Sequence, residues 1–327
     1  MRRHIAELAA GGYFASGLSD PGEVRGVTLA GYHVGISCSE LRPRLLEEVE
    51  ACVREHSVRV FVDSGAFSEV AVVGGGLATV RPLSAADWER RLSTYERLAR
   101  SCGPNAYLVA PDKVGDQRET LARLERYAPR LRALRLVHGD AWFGPHLIVP
   151  VQRGELPMTE FATRACTALG LGEDDVVWGI PMKKGATPLR ELTLFARSCP
   201  PDAAFHLLGM GPASPRFEVA VLSLMAECPE ARITFDAVRV TALVGRGDGG
   251  SARPLTAAQD AVRREEPGAA SSRVKRVALE RVLGAESFAL LADNGWVDAE
   301  LPPSPVVVPE SNGQMSLLAG PPAVTLR

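Results

Sequence analysis

The chain has 327 residues, 46% of them apolar and 23% charged, close to ordinary soluble usage, which excludes collagen-like, low-complexity and wholly disordered chains. Thirty-seven Lys and Arg against thirty-nine Asp and Glu leave a formal charge of -2, so no global positive field draws in a polyanion and any nucleic-acid contact must use a local patch. The length suits two domains or one (β/α) barrel of about 250 residues with an appendage, and the second is expected.

Arg2, Arg3 and His4 open the chain, but Glu7 interrupts the apolar stretch behind them. No run of about 18 apolar residues occurs anywhere, so the cytoplasm is the default location. Short apolar runs rich in β-branched residues then recur, with helical patterns between them. They predict strands over Val27–Ser37, Val58–Phe67, Ala106–Pro111, His146–Gln152, Val176–Pro181, Ala204–Met210 and Arg232–Val238. An eighth is expected over Val238–Val244. Ser84 and Asp87 form the start of a helix running to Ser101, and Pro188 sits at the first turn of another ending at Ser198. Gly74-Gly75-Gly76 has no Walker lysine behind it and reads as a flexible turn.

Alternation of this kind specifies α/β, and the position of the polar residues selects the architecture. Small or polar clusters end nearly every run: Asp63-Ser64-Gly65, Asp112, Gln152-Arg153-Gly154, Gly179 to Lys184, Gly209 to Gly211, and Asp236. In a closed parallel barrel these ends meet at one mouth, which favours a (β/α)8 TIM-type barrel over residues 1–246 rather than a doubly wound sheet. A Gly-rich link follows. A small helical appendage is expected over 251–300, and the stretch 301–327, with six prolines and only Glu310 and Arg327 charged, is expected to be a disordered tail.

The six cysteines, Cys38, Cys52, Cys102, Cys166, Cys199 and Cys228, include no C-x-x-C and read as reduced, mostly buried thiols. Cys38 at a first-strand end is a weaker candidate for a reactive one. The six histidines, His4, His33, His56, His138, His146 and His206, show no H-x-H or H-E-x-x-H spacing. No metal or other cofactor is expected.

Two carboxylates carry the chemistry. Asp63 leaves an apolar strand in Phe61-Val62-Asp63-Ser64-Gly65-Ala66-Phe67, and Asp236 leaves another in Ile233-Thr234-Phe235-Asp236-Ala237-Val238. Desolvating a carboxylate is expensive unless a partner or a function compensates. A pair at strand ends lets one act as nucleophile and the other as proton donor and acceptor.

Four segments together resemble the tRNA-guanine transglycosylase superfamily. Asp63-Ser64-Gly65-Ala66-Phe67 is similar to its D-S-G-G-F motif and Val149-Pro150-Val151-Gln152-Arg153-Gly154 to its V-Q-G-G strand end. His206-Leu207-Leu208-Gly209-Met210-Gly211 resembles H-L-M-G-V-G, and Phe235-Asp236-Ala237-Val238 resembles F-D-C-V. They occur in the family's order between Phe61 and Val238. The resemblance implies a barrel that exchanges guanine in a polynucleotide for a 7-deazaguanine base through a covalent glycosyl–Asp intermediate. It implies Asp236 as nucleophile, Asp63 as acid and base, and Asp112 as reader of the guanine-like edge. Gln152, Gly179 and Gly209 would line the pocket, with Phe67 and Leu208 sandwiching the ring. The family's C-x-C-x-x-C zinc cluster has no counterpart here, and its P-T-R-N-A-R stretch is replaced by Arg239-Val240-Thr241-Ala242-Leu243. Both differences remove tRNA-facing features, and Pro111-Asp112-Lys113-Val114-Gly115-Asp116 looks closer to the branch that acts on DNA. DNA is therefore the expected partner, with tRNA as the alternative.

Other readings remain open from the residues alone. One is a catalytically silent barrel that binds DNA or an enzyme. Another is a small-molecule lyase using Lys183 as a Schiff-base amine. If DNA is the substrate, Arg273, Lys275 and Arg276 in the appendage are candidates to hold its backbone. In the tail, Gln314-Met315-Ser316-Leu317-Leu318 resembles the Q-L-S-L-F peptide that docks bacterial proteins on the sliding clamp, so the clamp is a further expected partner.

Overall fold

The computed structural model describes residues 12–237 apart from 30, 74–75, 136–144, 184–185 and 212–213. It also describes 254–269, 273–274, 277–278, 280–281, 307–309 and 315–317. The chain divides into two units, 1–256 and 257–327.

In the first unit strands and helices alternate, and each barrel strand pairs in parallel with its neighbours. The order is β1 Tyr13–Ala15, α1 Pro21–Leu29, β2 His33–Ser37, α2 Pro43–His56 and β3 Val60–Asp63. An antiparallel hairpin of β4 Val70–Val73 and β5 Gly76–Thr79 follows, then α3 Ala85–Cys102, β6 Ala106–Val109 and α4 Gln117–Arg135. The series continues with β7 His146–Pro150, α5 Met158–Leu169, β8 Val177–Pro181, α6 Leu189–Ser198, β9 Ala204–Leu208, α7 Pro215–Glu227 and β10 Arg232–Ala237. Eight of these strands close into a barrel in the order β1-β2-β3-β6-β7-β8-β9-β10, with β10 returning to β1. This is the (β/α)8 TIM-type barrel expected from the alternation.

Two expectations are corrected. Pro21–Leu29 is helical, so the first predicted strand begins only at His33. Asp20 starts the helix by accepting from Gly22 N through its side chain at 2.7 Å and from Val24 N through its carbonyl at 3.1 Å. Gly31, at φ 79°, turns the chain out of it. The eighth strand is not Val238–Val244, which lies outside the described residues. Its place between β10 and β2 is filled by Tyr13–Ala15, three residues too few for a periodic signal. The Ser84–Asp87 capping box is present, and Pro188 stands at the N-cap of α6, one position before the first turn.

Successive residues of a strand point to opposite faces, so each barrel strand feeds two cores. Outward residues such as Val60, Val62, Leu108, Trp178, Phe205 and Phe235 pack against the helices in one large cluster. Inward residues Phe14, Phe61, Tyr107, Val109, Ile148, Val177 and Ala204 fill the barrel, with Leu208 packed against them. The same period carries Phe61 and Asp63 inward on β3, Thr234 and Asp236 inward on β10, and His206 and Leu208 inward on β9. Apolar layers thus form the floor beneath a polar upper ring.

The helix α8, Pro254–Glu265, begins at the end of the first unit and continues into the second. Val262, Val274 and Ala278 are buried. Arg273 and Arg281 pair with Glu266 and Glu265 at 2.6 and 2.5 Å. Arg273 therefore has an internal partner, while Lys275 and Arg276 lie outside the described residues. Within the stretch expected to be a disordered tail, β11 Val307–Pro309 pairs antiparallel with β12 Met315–Leu317, so three residues of the clamp-like pentad are extended. Among the described residues no helix is long and apolar enough to cross a membrane.

Phe14 carries the short closing strand. It is fully buried and contacts Phe61 and Tyr107 at ring distances of 5.8 and 5.2 Å. Phe14→Ala should lower unfolding free energy by about 3 to 5 kcal/mol, read from urea denaturation. A loss below about 1 kcal/mol would mean that the strand is dispensable for closure.

Candidate active site

Asp63 is the last residue of β3. The chain turns sharply after it: Gly65 adopts φ 75°, and its N–H returns to Asp63 Oδ2 at 3.0 Å. A side chain at Gly65 would be strained by that φ, and its Cβ would stand 2.9 Å from the Arg91 guanidinium. Arg91 donates to the Ser64 carbonyl and lies over the Trp88 ring, 5.1 Å from its centre. One arginine from α3 therefore braces the turn that presents Asp63. Burial pushes the Asp63 carboxyl up to about 6; the Gly65 N–H opposes this, and the nearby Asp236 charge adds to it. A carboxyl titrating there can both give and take a proton near neutral pH.

Asp112 follows β6 and is buried. Ser64 Oγ donates to its Oδ1 at 2.7 Å, which ties it to the Asp63 turn. Burial raises its carboxyl to about 7, with the Ser64 hydroxyl opposing the rise and the Asp63 charge adding to it. Behind it lies an ion cluster. Glu69, fully buried, accepts from Lys113 Nζ at 2.7 Å and from Arg123 at 3.0 Å. Burial would raise the Glu69 carboxyl, but the two cations outweigh it and hold it low. Arg123 also donates to the Asp112 carbonyl at 2.5 Å. A buried charge with several donors is stable where a lone one is not.

Gln152 follows β7, and both ends of its amide are engaged. Nε2 donates to the Lys113 carbonyl at 2.8 Å and to Thr120 Oγ1 at 2.9 Å, and Oε1 accepts from Gly115 N at 2.6 Å. As placed, it holds the Asp112 loop rather than offering a free edge to a ligand. Gly179 on β8 lies where a Cβ would meet Ile148 at 2.8 Å and Leu208 at 3.2 Å, so the absence of a side chain lets β8 and β9 draw together beneath the mouth. Phe67 is 46% exposed. The Lys183 ammonium lies 3.6 Å from its ring centre, a cation–π contact. Lys183 is itself exposed, unlike the dry setting that activates a Schiff-base lysine. Cys38 is buried, which pushes its thiol up to about 12, so it is not a ready nucleophile.

Asp236 lies on β10, where only 8% of its surface is open. Gly209, at φ 72°, aims its N–H at Asp236 Oδ1 at 2.6 Å, and His206 Nε2 lies 3.4 Å from the same oxygen. Among the described residues, Oδ2 has no hydrogen-bond partner. The carboxylate is thus held by one oxygen only. Among the described residues, no three His, Cys, Asp or Glu side chains converge as a metal site would need.

Asp63, Asp112 and Asp236 therefore lie at the C-terminal ends of three barrel strands, where barrel enzymes gather their chemistry. Ser64, Glu69, Arg91, Lys113, Arg123 and Thr234 were not among the predicted site residues. Ser64 and Lys113 stood inside the motifs quoted above with no role assigned, and Arg91 carried a readable signal as a charge on the apolar Trp88, Leu92 and Tyr95 face of its helix.

No protein-family model matches this chain, and no curated protein does. Among solved structures it is similar to a catalytic-lysine mutant of Ruminococcus gnavus sialic acid aldolase, with 10% identity, 91% of this chain and 90% of that one covered, and TM-score 0.41. It is also similar to lysine-bound DHDPS from Cyanidioschyzon merolae, with 14% identity, coverage of 89% and 92%, and TM-score 0.40. A third is D-allulose 3-epimerase from Methylomonas sp. in complex with D-allulose, with 11% identity, coverage of 71% and 88%, and TM-score 0.38. Likeness this distant carries no chemistry across, and the barrel assignment rests on this chain's own strand pairing.

The raised Asp112 value fixes a pH dependence. The folded chain keeps a proton that the unfolded chain releases, so the stability from neutral Asp112 is complete below about pH 4 and is lost as pH rises through about 7. Asp112→Asn cannot ionise, so relative to the parent it should gain stability between pH 5 and 8. A rise from 3.8 to about 7, at 1.36 kcal/mol per pH unit, sets a ceiling of about 4 kcal/mol. Urea midpoints at the two pH values measure the gain, and an equal offset at both would refute it.

Proposed function

We propose that the protein is a base-exchanging transglycosylase that replaces guanine in DNA with a 7-deazaguanine. The observation that carries this reading is the pairing of unlike carboxylates in one mouth, Asp63 raised to about 6 and Asp236 with a single oxygen held. In the reaction, Asp236 Oδ2 attacks the anomeric carbon as the bond to the purine nitrogen breaks, and Asp63 gives its proton to the departing base. The incoming deazaguanine then loses a proton to Asp63 and attacks the same carbon, and the electron pair of the ester bond returns to Asp236. Two inversions retain configuration, and each proton lost is regained.

Asp112 suits the reader's part. One oxygen is held by Ser64, and the other can accept from the N–H groups of a guanine-like edge, which favours its ionised form once the base is bound. Phe67 is exposed enough for a base to stack on it. The reacting carbon is inaccessible in a stacked duplex, so the nucleotide must be flipped out or supplied single-stranded. DNA is preferred over tRNA on the two sequence differences noted above, and the clamp-like pentad Gln314 to Leu318 is proposed as a tether to replicating DNA.

Incubation with guanine-containing DNA or tRNA and a labelled 7-deazaguanine tests the reading. DNA should take up label, and Asp236→Asn should abolish uptake with the fold intact, because the amide cannot form the ester. Uptake into tRNA alone would replace the substrate. Near-native exchange by a folded Asp236→Asn protein would end the nucleophile assignment. For the tether, a peptide of residues 309–321 should bind a bacterial clamp at micromolar strength, about -8 kcal/mol. No binding at about a millimolar clamp would remove it.

A further inference from the structure

His206 is fully buried on β9 and lies inward, its ring stacked on Phe61 at 4.5 Å with 12° between planes and tilted against Phe14 at 5.8 Å. Its backbone neighbour on β10 is Thr234, one inward position below Asp236. The two ring nitrogens face these two side chains: Nδ1 is 2.8 Å from Thr234 Oγ1 and Nε2 is 3.4 Å from Asp236 Oδ1. Stacking fixes the plane of the ring, so it cannot swing away from either.

The tautomer follows from counting protons. The Thr234 hydroxyl has one proton and two acceptors in reach, Nδ1 at 2.8 Å and the Phe205 carbonyl at 3.3 Å. Donation to the nearer one requires a lone pair on Nδ1, which leaves the ring proton on Nε2, facing the carboxylate. The opposite tautomer would set a nitrogen lone pair against an oxygen lone pair inside the barrel, an unsatisfied contact that burial makes costly.

We propose that His206, held by Thr234 as the Nε2–H tautomer, is a positioning residue for Asp236: with Gly209 N–H it holds Oδ1 and turns Oδ2 toward the sugar. This rests on Asp236 being the nucleophile. When Oδ2 forms the glycosyl ester, Oδ1 becomes the ester carbonyl oxygen and keeps the same two donors. When the ester breaks and its electron pair returns to the carboxylate, those donors receive the developing charge. His206 touches no substrate in this account, so its loss acts on turnover and not on DNA binding.

Three variants of the full chain test this. His206→Phe keeps the stacked ring without an N–H, His206→Gln keeps a donor at about the reach of Nε2, and Thr234→Val keeps shape while removing the hydroxyl. His206→Phe should lower kcat by about 10- to 100-fold, at or below the loss seen for a deleted oxyanion donor, with KM for DNA unchanged. His206→Gln should recover all but about fivefold of it. Equal losses in the Phe and Gln variants, or a loss confined to KM, would overturn the proposal. A second readout needs no activity. In protein labelled with 15N-histidine, the His206 signal, identified by its loss in His206→Gln, should report Nε2–H in the native chain and a mixture of tautomers in Thr234→Val. A native Nδ1–H would overturn the proposal outright. If the native protein exchanges no base while His206 still reports Nε2–H, the transglycosylase reading fails and the His206–Asp236 hydrogen bond stands.

Discussion

Three carboxylates stand at strand ends of one barrel in a poorly solvated place, and the cost of charge there is the constraint around which the rest is arranged. A carboxylate taken out of water favours its neutral form, and a like charge nearby adds to that. Asp63 and Asp112 respond by holding protons to near-neutral pH, with burial as the main cause; the Asp236 charge adds to it at Asp63 and the Asp63 charge adds to it at Asp112. Asp236 is supplied with donors on one oxygen instead, from Gly209 and His206. The two solutions differ, since a carboxyl that keeps a proton to near-neutral pH can donate it, whereas Asp236 has its donors on Oδ1 alone among the described residues.

Holding that arrangement takes a second layer. Trp88 on α3 lies between Arg91 at 5.1 Å and Arg123 at 5.3 Å; one braces the Asp63 turn and the other the Asp112 loop. Glu69 balances Arg123 and Lys113 beneath them, and Gln152 stitches that loop to the end of β7. Loop residues thereby acquire the fixity of the strands they follow, which a site built from loop ends requires.

Much of the fold was legible because parallel barrel strands are buried on both faces and read as continuous apolar runs. Seven runs contain the observed strands, and the Ser84 cap was visible as local chemistry. The closing strand was not, because Tyr13–Ala15 owes its conformation to pairing with β10 and β2 rather than to its own pattern. The end of the Pro21–Leu29 helix looked like part of a strand because Val27 to Leu29 joined the apolar run to His33. In the site, carboxylates leaving apolar strands were conspicuous, since burial makes their presence expensive. Glu69 and Thr234 were inconspicuous for the opposite reason. A glutamate in Ala66-Phe67-Ser68-Glu69 and a threonine inside a strand are ordinary in sequence, and only folding brings Lys113 and Arg123 to the one and His206 to the other.

The closure of the barrel ties the two ends of its sequence together. Tyr13 Oη donates to the Ala237 carbonyl across 224 residues, at 3.0 Å, and Phe14 pairs with Asp236. Contacts this far apart in sequence are slow to form, because the loop entropy must be overcome before they reward it. On the ribosome the first strand emerges long before its partner and keeps an unpaired edge until the last strand is made. The strand that completes the barrel is also the one that bears Asp236, so a chain cut short before it lacks both the seal and that carboxylate. Closure of the barrel and delivery of Asp236 to its rim are in this way a single event.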